Sequence, residues 1–459
     1  MQVISSIFKT TLFAWFALGL SWSASHAQPV FKKITLSTAY YGEGGTTGDV
    51  NKDGKTDVVA GPYWFAGPDF ATGKHEYYTP KAFSIDGYAE KFLPFVYDFN
   101  GDSWPDILMV GFPGKEVSWY QNPGAGLETV GVWKMNLILN GVDNESPLFR
   151  DLTGDGKPEL VFMNGGRLCW AGPTSGSPAT TWTIHPISTV DTTWGQYTHG
   201  LGVGDVNGDG RMDVLEKGGW WEQPASLVSD PVWVGHSYSF TDNMASDQPP
   251  GGGQMYVYDV DGDGDGDVIT SLQAHGWGLA WFENVIQAGQ VTFIRHLIMG
   301  LKATDGSSGI TIPGMHAVEL TDMDGDGLKD IVTGSRIGTH GPSGTGVYWI
   351  GMKRQGASVT FTPHSLDAVS GIGVHLAVGD LGNDGRQGVV VVNKNGIFAY
   401  RRSDVVALSS EGKAARAVLG AQKSSNEIDG LGRKFEPAKK GILKVKARGF
   451  SSMLKGNEK

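Results

Sequence analysis

Only one cysteine, Cys169, stands in 459 residues, so no internal disulfide can form and the fold must be fastened some other way. Long apolar runs are scarce as well. The one at the N-terminus, Thr11 to Leu20, falls short of the ~20 residues a bilayer-spanning helix needs. It follows Lys9 and leads into Ala24-Ser25-His26-Ala27, whose small residues suit cleavage before Gln28. Residues 1–27 therefore read as a signal peptide, and the protein as secreted, periplasmic or extracellular. A retained membrane anchor is the alternative. Charge is modest at 19% and nets to −11. From Glu411 onward the tail contributes +7, with twelve Lys/Arg against five Asp/Glu, and Lys9 adds +1, so the remaining body carries −19. An acidic body in an exported chain excludes nucleic acid as a natural partner.

What is abundant is glycine, 68 residues, together with aromatics at 11%. That combination suits many short strands joined by tight turns. A search for self-similarity then organises the chain. The segment Asp49-Val-Asn51-Lys-Asp53-Gly-Lys-Thr-Asp57 returns at Asp98–Asp106, Asp151–Glu159, Asp205–Asp213, Asp259–Asp267 and Asp322–Asp330, with an eroded seventh copy at Asp380–Gly388. First aspartates are spaced by 49, 53, 54, 54, 63 and 58 residues, the length of one four-stranded propeller blade.

The flanks repeat too. Each loop is followed by a β-branched or apolar run such as Val58-Val59, Val268-Ile269 or Val389-Val390, which reads as a buried strand. An aromatic strand comes next, as in Trp64-Phe65, Trp119-Tyr120, Trp170, Trp221, Trp281-Phe282, Trp349 and Phe398-Ala-Tyr400. Recurrence at one position in every repeat makes these packing wedges rather than sugar platforms. Fourth strands are expected at Trp182–Ile187, Trp233–Phe240, Phe293–Ile298 and Phe361–Leu366. Phe31–Leu36 has the same look with no unit before it, so it should complete the seventh blade and close the ring, removing sheet edges. The expected fold is all-β: a seven-bladed β-propeller of four-stranded antiparallel blades over residues 28–408. The segment 409–459 is rich in Lys, Ala, Gly and Ser and reads as a disordered basic tail.

The loops have a chemical rationale. Carboxylates at positions 1, 3, 5 and 9, with a backbone carbonyl at 7, converge on one hard cation, and Gly at 6 permits the turn. Calcium is the fitting ion. Full ligand sets are Asp49, Asn51, Asp53, Asp57; Asp98, Asn100, Asp102, Asp106; Asp205, Asn207, Asp209, Asp213; Asp259, Asp261, Asp263, Asp267; and Asp322, Asp324, Asp326, Asp330. The third copy offers Asp151, Asp155 and Glu159 with Thr153 in place of a ligand, so it should be weaker; the seventh has Gly382 and Gly388 and should be empty. EF-hands require Glu at position 12, which only Glu216 supplies, and dockerin loops precede helices rather than strand formers. Extracellular calcium modules have Kd of ~0.1–1 mM, which at ~1 mM calcium gives ~0.4–1.4 kcal/mol per site. About five structural sites would match a disulfide or two.

These loops resemble the FG-GAP/VCBS repeats of integrin-like propellers, over about Phe31 to Arg402. Two stretches, His199–Pro224 and His316–Phe398, look similar to a bacterial group of exported FG-GAP-like proteins. The first is also similar to the propeller half of aldos-2-ulose dehydratase, a lyase acting on keto-sugars. The cupin part of that enzyme has no counterpart here, and no catalytic residue is carried over from it.

Propeller topology sorts residues by face. If each calcium loop lies on the lower face, then Glu43, Phe92, Glu145, His199, Gly253, His316 and Val374, with His375 beside it, begin the innermost strands at the opposite mouth of the channel. The loops between second and third strands add Lys217, His275, Arg336, His340 and Lys394, and long connections at 192–197, 242–254 and 302–315 wall that side. A ligand pocket centred on His199, His316, His375, Arg336 and His340 is the resulting candidate site. Three uses fit it. It can bind a carbohydrate, where Trp194 and Trp277 would be the stacking platforms. It can be a carbon–oxygen lyase acting on a keto-sugar or polysaccharide, with His as base and Arg stabilising the enolate. Or the propeller is a scaffold for an extracellular protein, which needs no such histidines. A transition metal on His199, His316 and His375 is compatible with the residue types, although no ligand spacing demands it.

Overall fold

The computed structural model describes residues 28–127, 129–174, 179–242, 250–337, 344–356 and 358–403. Residues 1–27, expected to be a signal peptide, the tail 409–459 and His340 lie outside them. Among the described residues the protein is all-β, with one 3-10 turn at Gly124–Gly126 and no α-helix. No helix there is long and apolar enough to cross a membrane.

Each repeat starts the same way. A short inner strand runs into the acidic loop, a fully buried strand follows, then an aromatic strand and an outer one. In the first repeat these are Gly45–Gly48, Asp57–Ala60, Tyr63–Phe65 and Lys74–Glu76, paired antiparallel in that order. The second strand is the most apolar element of every unit because both its faces are covered by neighbouring sheets. Val58, Val59 and Ala60 are fully buried, as are Val389, Val390 and Val391. The outer strands expected from the sequence are at Trp182–Pro186, Val234–Ser237, Gln290–Met299 and Ser358–Asp367. Phe31–Ser37 pairs antiparallel with Gly396–Arg402, so the first strand of the chain joins the sheet that follows Asp380.

The sheet arrangement is that of a propeller, but the units are not seven separate sheets. Five sheets have four strands each, and one has eight. In the eight-stranded sheet the inner strands of the fourth and fifth repeats, Leu201–Gly204 and Gln254–Tyr258, pair in parallel through Leu201↔Gln254, Gly202↔Met255 and Val203↔Tyr256. The reason is steric. A Cβ on Gly202 would meet the Met255 carbonyl at 2.6 Å, and one on Gly204 would meet Val257 Cβ at 2.4 Å. Only glycine lets two inner strands approach to hydrogen-bonding distance.

Two recurrent devices fasten the sheets. First, in five of the acidic loops the ninth residue is a buried clasp, whereas Glu159 of the third bonds only within its own loop and the seventh has Gly388 there. Asp330 accepts from Met323 N (2.8 Å) and Met352 N (2.9 Å), so it ties its loop to the aromatic strand. Asp57, Asp106, Asp213 and Asp267 do the same. Second, side chains in or just past the aromatic strand reach the preceding repeat's loop. Asn284 Nδ2 donates to Val206 O (2.7 Å), Asn122 Nδ2 to Val50 O (2.9 Å), Gln223 Nε2 to Leu152 O (2.8 Å) and Arg354 Nε to Val260 O (2.7 Å). These acceptors all occupy position 2 of a loop, whose carbonyl would otherwise be buried without a partner.

Candidate functional site

The inner strands place their preceding residues at one end of the central channel. Glu43 stands two residues before Gly45–Gly48, Glu145 three before Leu148–Arg150, His199 two before Leu201–Gly204 and His316 two before Val318–Thr321. Connections between second and third strands bring in Lys217, His275, Arg336 and Lys394. Backbone bonds lock the set. Gly314 O accepts from both His316 N (2.8 Å) and Arg336 N (2.9 Å), and Glu145 N donates to Thr198 O (3.2 Å). Gly251 packs against His199 so closely that a Cβ would meet its carbonyl at 2.8 Å.

The side chains converge. His199 Nε2 and His316 Nε2 are 3.0 Å apart, and Glu145 Oε2 lies 3.0 Å from His316 Nε2 and 3.7 Å from His199 Nε2. The His275 ring meets both edge-on, with centroids 4.9 and 5.1 Å away. All four residues are buried. Burial, reinforced by His316 and His199, drives the His275 pKa down to about 2; burial and then Arg336 lower His316 to about 4. Burial opposes ionisation of Glu145, but its histidine neighbours outweigh this and hold the carboxyl well below the usual range. The carboxylate of Glu145 thus faces the neutral imidazoles of His275 and His316.

Beside it lies a second carboxyl, Glu43, which accepts from Tyr40 Oη. Burial raises the Glu43 pKa against the pull of the fully buried Arg336. Arg336 Nε and Nη2 have no hydrogen-bond partner, and the guanidinium stands 5.7 Å from the centroid of Tyr88. Lys394 Nζ donates to Ile85 O (2.8 Å) and sits 4.9 Å from the same ring.

A cavity of about 610 Å³ opens onto this end of the protein. Glu145, His199 and His275 line it together with Lys217, Gln196 and an aromatic wall of Tyr88, Phe112 and Tyr197. Tyr88 and Phe112 have centroids 5.4 Å apart, and Phe112 and Tyr197 5.7 Å. Tyr197 is 44% exposed and holds φ at +68°, a left-handed conformation costly for a tyrosine. Burial lowers the Lys217 pKa.

Of the residues singled out from sequence, the structure brings His199, His316 and Arg336 to this end, and His275 and Glu145 join the histidines. His375 departs from the expectation. Its Nδ1 faces Gly45 O at 3.2 Å and its ring meets Phe95 edge-on, because the strand Leu376–Gly379 starts one residue after it and turns it below the rim. Phe92 and Val374 belong to the apolar core, and Gly253 packs its backbone against His316. Trp194 packs on Trp221 and does not line the cavity, nor does Trp277. Tyr88 and Phe112 lie in the connections at 77–90 and 112–114, loop classes read from sequence for charged residues and histidines rather than for aromatics. Five of the eleven histidines have a separate explanation: His75, His185, His236, His296 and His364 stack flat on strand-three tryptophans at 3.9–4.2 Å.

The acidic loops lie at the other strand ends. Asp259, Asp261 and Asp263, and likewise Asp322, Asp324 and Asp330, gather oxygens within 4.8 Å of one another, as a cation site requires. Asp49 caps its own loop by accepting from Asp53 N and Gly54 N, each at 3.0 Å. In the sixth loop Lys353 Nζ sits 2.7 Å from Asp324. The eroded seventh loop docks on the first, where Asn383 Nδ2 donates to Gly54 O (3.0 Å).

Among solved structures, the chain is similar to the Vibrio cholerae biofilm matrix protein Bap1 at 11% identity, covering 84% of this chain and 90% of that one with a TM-score of 0.40. It is similar to BBS1N, solved in complex with ARL6DN, at 10% identity, 83% and 99% coverage and a TM-score of 0.43. A Bacillus licheniformis rhamnogalacturonan lyase PL11 is similar at 15% identity, 82% and 73% coverage and a TM-score of 0.38. No curated protein matches the sequence. Residues 98–162 and 151–216 match the FG-GAP-like repeat, and the sheets described above take a propeller arrangement.

Proposed function

We propose that the protein is an exported, calcium-stabilised propeller whose channel-end cavity binds a carbohydrate. The observation that carries this reading is the cavity itself: an aromatic wall of Tyr88, Phe112 and Tyr197 opposite Glu145, Lys217, His199 and His275. Aromatic faces offer an apolar platform to the C–H face of a sugar ring, while charged groups across a narrow cleft take its hydroxyl or carboxyl groups. The strained, half-exposed Tyr197 fits a binding residue held ready rather than a packing one.

The test is a panel of neutral, acidic and keto-sugar glycans, scored for binding by calorimetry. Tyr197→Ala should weaken binding at least tenfold while the melting curve in calcium stays unchanged. A panel with no binder, or a Tyr197→Ala variant that binds as tightly as the parent, overturns the reading in favour of a protein-interaction scaffold. A second reading, carbon–oxygen lyase, is favoured by one feature: the neutral imidazole of His275 on the cavity wall near an arginine with free donors, the pairing that proton abstraction beside a carbonyl needs. The same panel read for ultraviolet-absorbing elimination products decides it.

The rest of the reading concerns the scaffold. The eight-stranded sheet is two four-stranded antiparallel halves, so we count seven blades, with Phe31–Ser37 closing the ring. Loop 7 resting on loop 1 supports that closure. Export rests on the sequence of residues 1–27, and N-terminal sequencing of the released protein should begin at Gln28.

A further inference from the structure

The geometry points to a metal site of a different class from the acidic loops: Glu145, His199, His275 and His316 hold one divalent first-row transition-metal ion at the inner wall of the cavity. The four residues each offer one donor atom, and these atoms all lie within 4.8 Å of one another. Three of the separations are 3.0, 3.0 and 3.7 Å. Donors about 2.0–2.2 Å from one tetrahedral ion stand roughly 3.3–3.6 Å apart, so this is the spacing of atoms that share a ligand.

Hydrogen bonding alone does not account for the group. Glu145 Oε2 lies 3.0 Å from His316 Nε2 without hydrogen-bond geometry, and His316 Nδ1 is buried with no partner at all. A single proton can bridge the two Nε2 atoms, but it leaves the carboxylate oxygen of Glu145 unsatisfied. Unsatisfied groups this deep are rare unless something binds them. His316 is 0% exposed, so bulk solvent does not reach it. A shared cation takes the carboxylate oxygen and both Nε2 lone pairs at once.

The donor set fixes the class of ion. Calcium and magnesium take oxygen ligands, whereas three imidazoles and one carboxylate suit zinc, manganese(II), iron(II) or cobalt(II). Of the charged neighbours, Arg336 faces both Glu43 and Glu145 and Lys394 faces Glu43, so Glu145 is the one carboxylate of the group that would meet the ion directly. An ion there would be within reach of whatever enters, since Glu145, His199 and His275 also line the cavity. The inference does not depend on the carbohydrate reading. A glycan panel without binders leaves it standing, and so does the converse.

The experiment uses untagged full-length protein, stripped with chelator and returned to millimolar calcium so that the acidic loops are filled. Titration with Co²⁺, read by its visible absorption, and competition with Zn²⁺ should show one tight equivalent. His275→Gln, on a loop rather than a strand, should weaken it at least about 100-fold, and the His199→Ala/His316→Ala double variant should abolish it. His236→Ala and His296→Ala, which remove only tryptophan-stacked imidazoles, should leave it unchanged. If the double variant fails to melt cooperatively in calcium, His275→Gln carries the decision. Binding only above about 1 mM, or tight binding that survives His275→Gln, overturns the assignment.

Discussion

The two ends of the inner strands are built on opposite plans. At one end lie acidic loops that repeat almost residue for residue, partly exposed and each complete within nine residues of sequence. At the other lies a single cluster assembled from Glu43, Glu145, His199, His275, His316 and Arg336, no two of them in the same repeat except His316 and Arg336. The first end is made of local geometry and serves the scaffold. The second exists only because the sheets are arranged around a channel, and it carries groups that packing does not need. A repeat protein thus keeps stability in what it repeats and specificity in where it departs from the repeat.

That division makes sharp expectations about which substitutions unfold and which only silence. The largest effect should come from the loop clasp. Asp330→Ala strands two buried backbone N–H groups and should cost about 3–5 kcal/mol in denaturant melts. Asp326→Ala, on an exposed loop carboxylate, should cost little without calcium and appear only when calcium is present. Equal losses for the two in chelator would show that position nine is merely another cation ligand. Next comes calcium itself. Stripping the loops with chelator at fixed ionic strength should lower stability by a few kcal/mol while cobalt binding by the histidine cluster survives in the folded fraction. An unchanged melting temperature would remove calcium from the account of the fold. The smallest effect is the inter-sheet latch. Asn284→Ala leaves Val206 O and Gly266 O without their donor and should cost about 1–3 kcal/mol, with no change at the histidine end. If Asn284→Ala instead altered ligand or metal binding, the two ends would be coupled and the comparison would fail.

Much of the scaffold was legible because it is periodic. Seven loops, their following apolar strands and the aromatic strands announced themselves by recurrence, and Phe31–Leu36 was readable as a strand lacking a unit of its own. The fusion of the fourth and fifth units was not, because Gly202 and Gly204 look like ordinary strand glycines until their neighbours Met255 and Val257 are known. The clasp role of position nine was hidden for a similar reason: the same aspartate satisfies a ligand pattern and a backbone-capping pattern, and sequence displays only the first.

The candidate site was legible by direction and not by distance. Strand polarity was enough to send His199, His316, Glu145 and Arg336 toward one end. It placed His375 there too, although His375 stands one residue past Val374, the position equivalent to His199 and His316, and that offset sends its side chain to Gly45 and Phe95. His275 was one of several loop residues until its ring was found against two others. Tyr88 and Phe112 lie in connections read for charge and histidine, not for aromatics.

Composition and periodicity by themselves determined that this chain makes repeated antiparallel sheets with acidic loops, because each unit's hydrogen bonds and turn chemistry close within about fifty residues. Which histidines meet, which tryptophans merely stack, and which tyrosines wall a cavity were decided by tertiary structure alone. Those contacts join residues far apart in sequence, 171 positions from Glu145 to His316 and 306 from Tyr88 to Lys394, and only the arrangement of sheets around the channel fixes their separation.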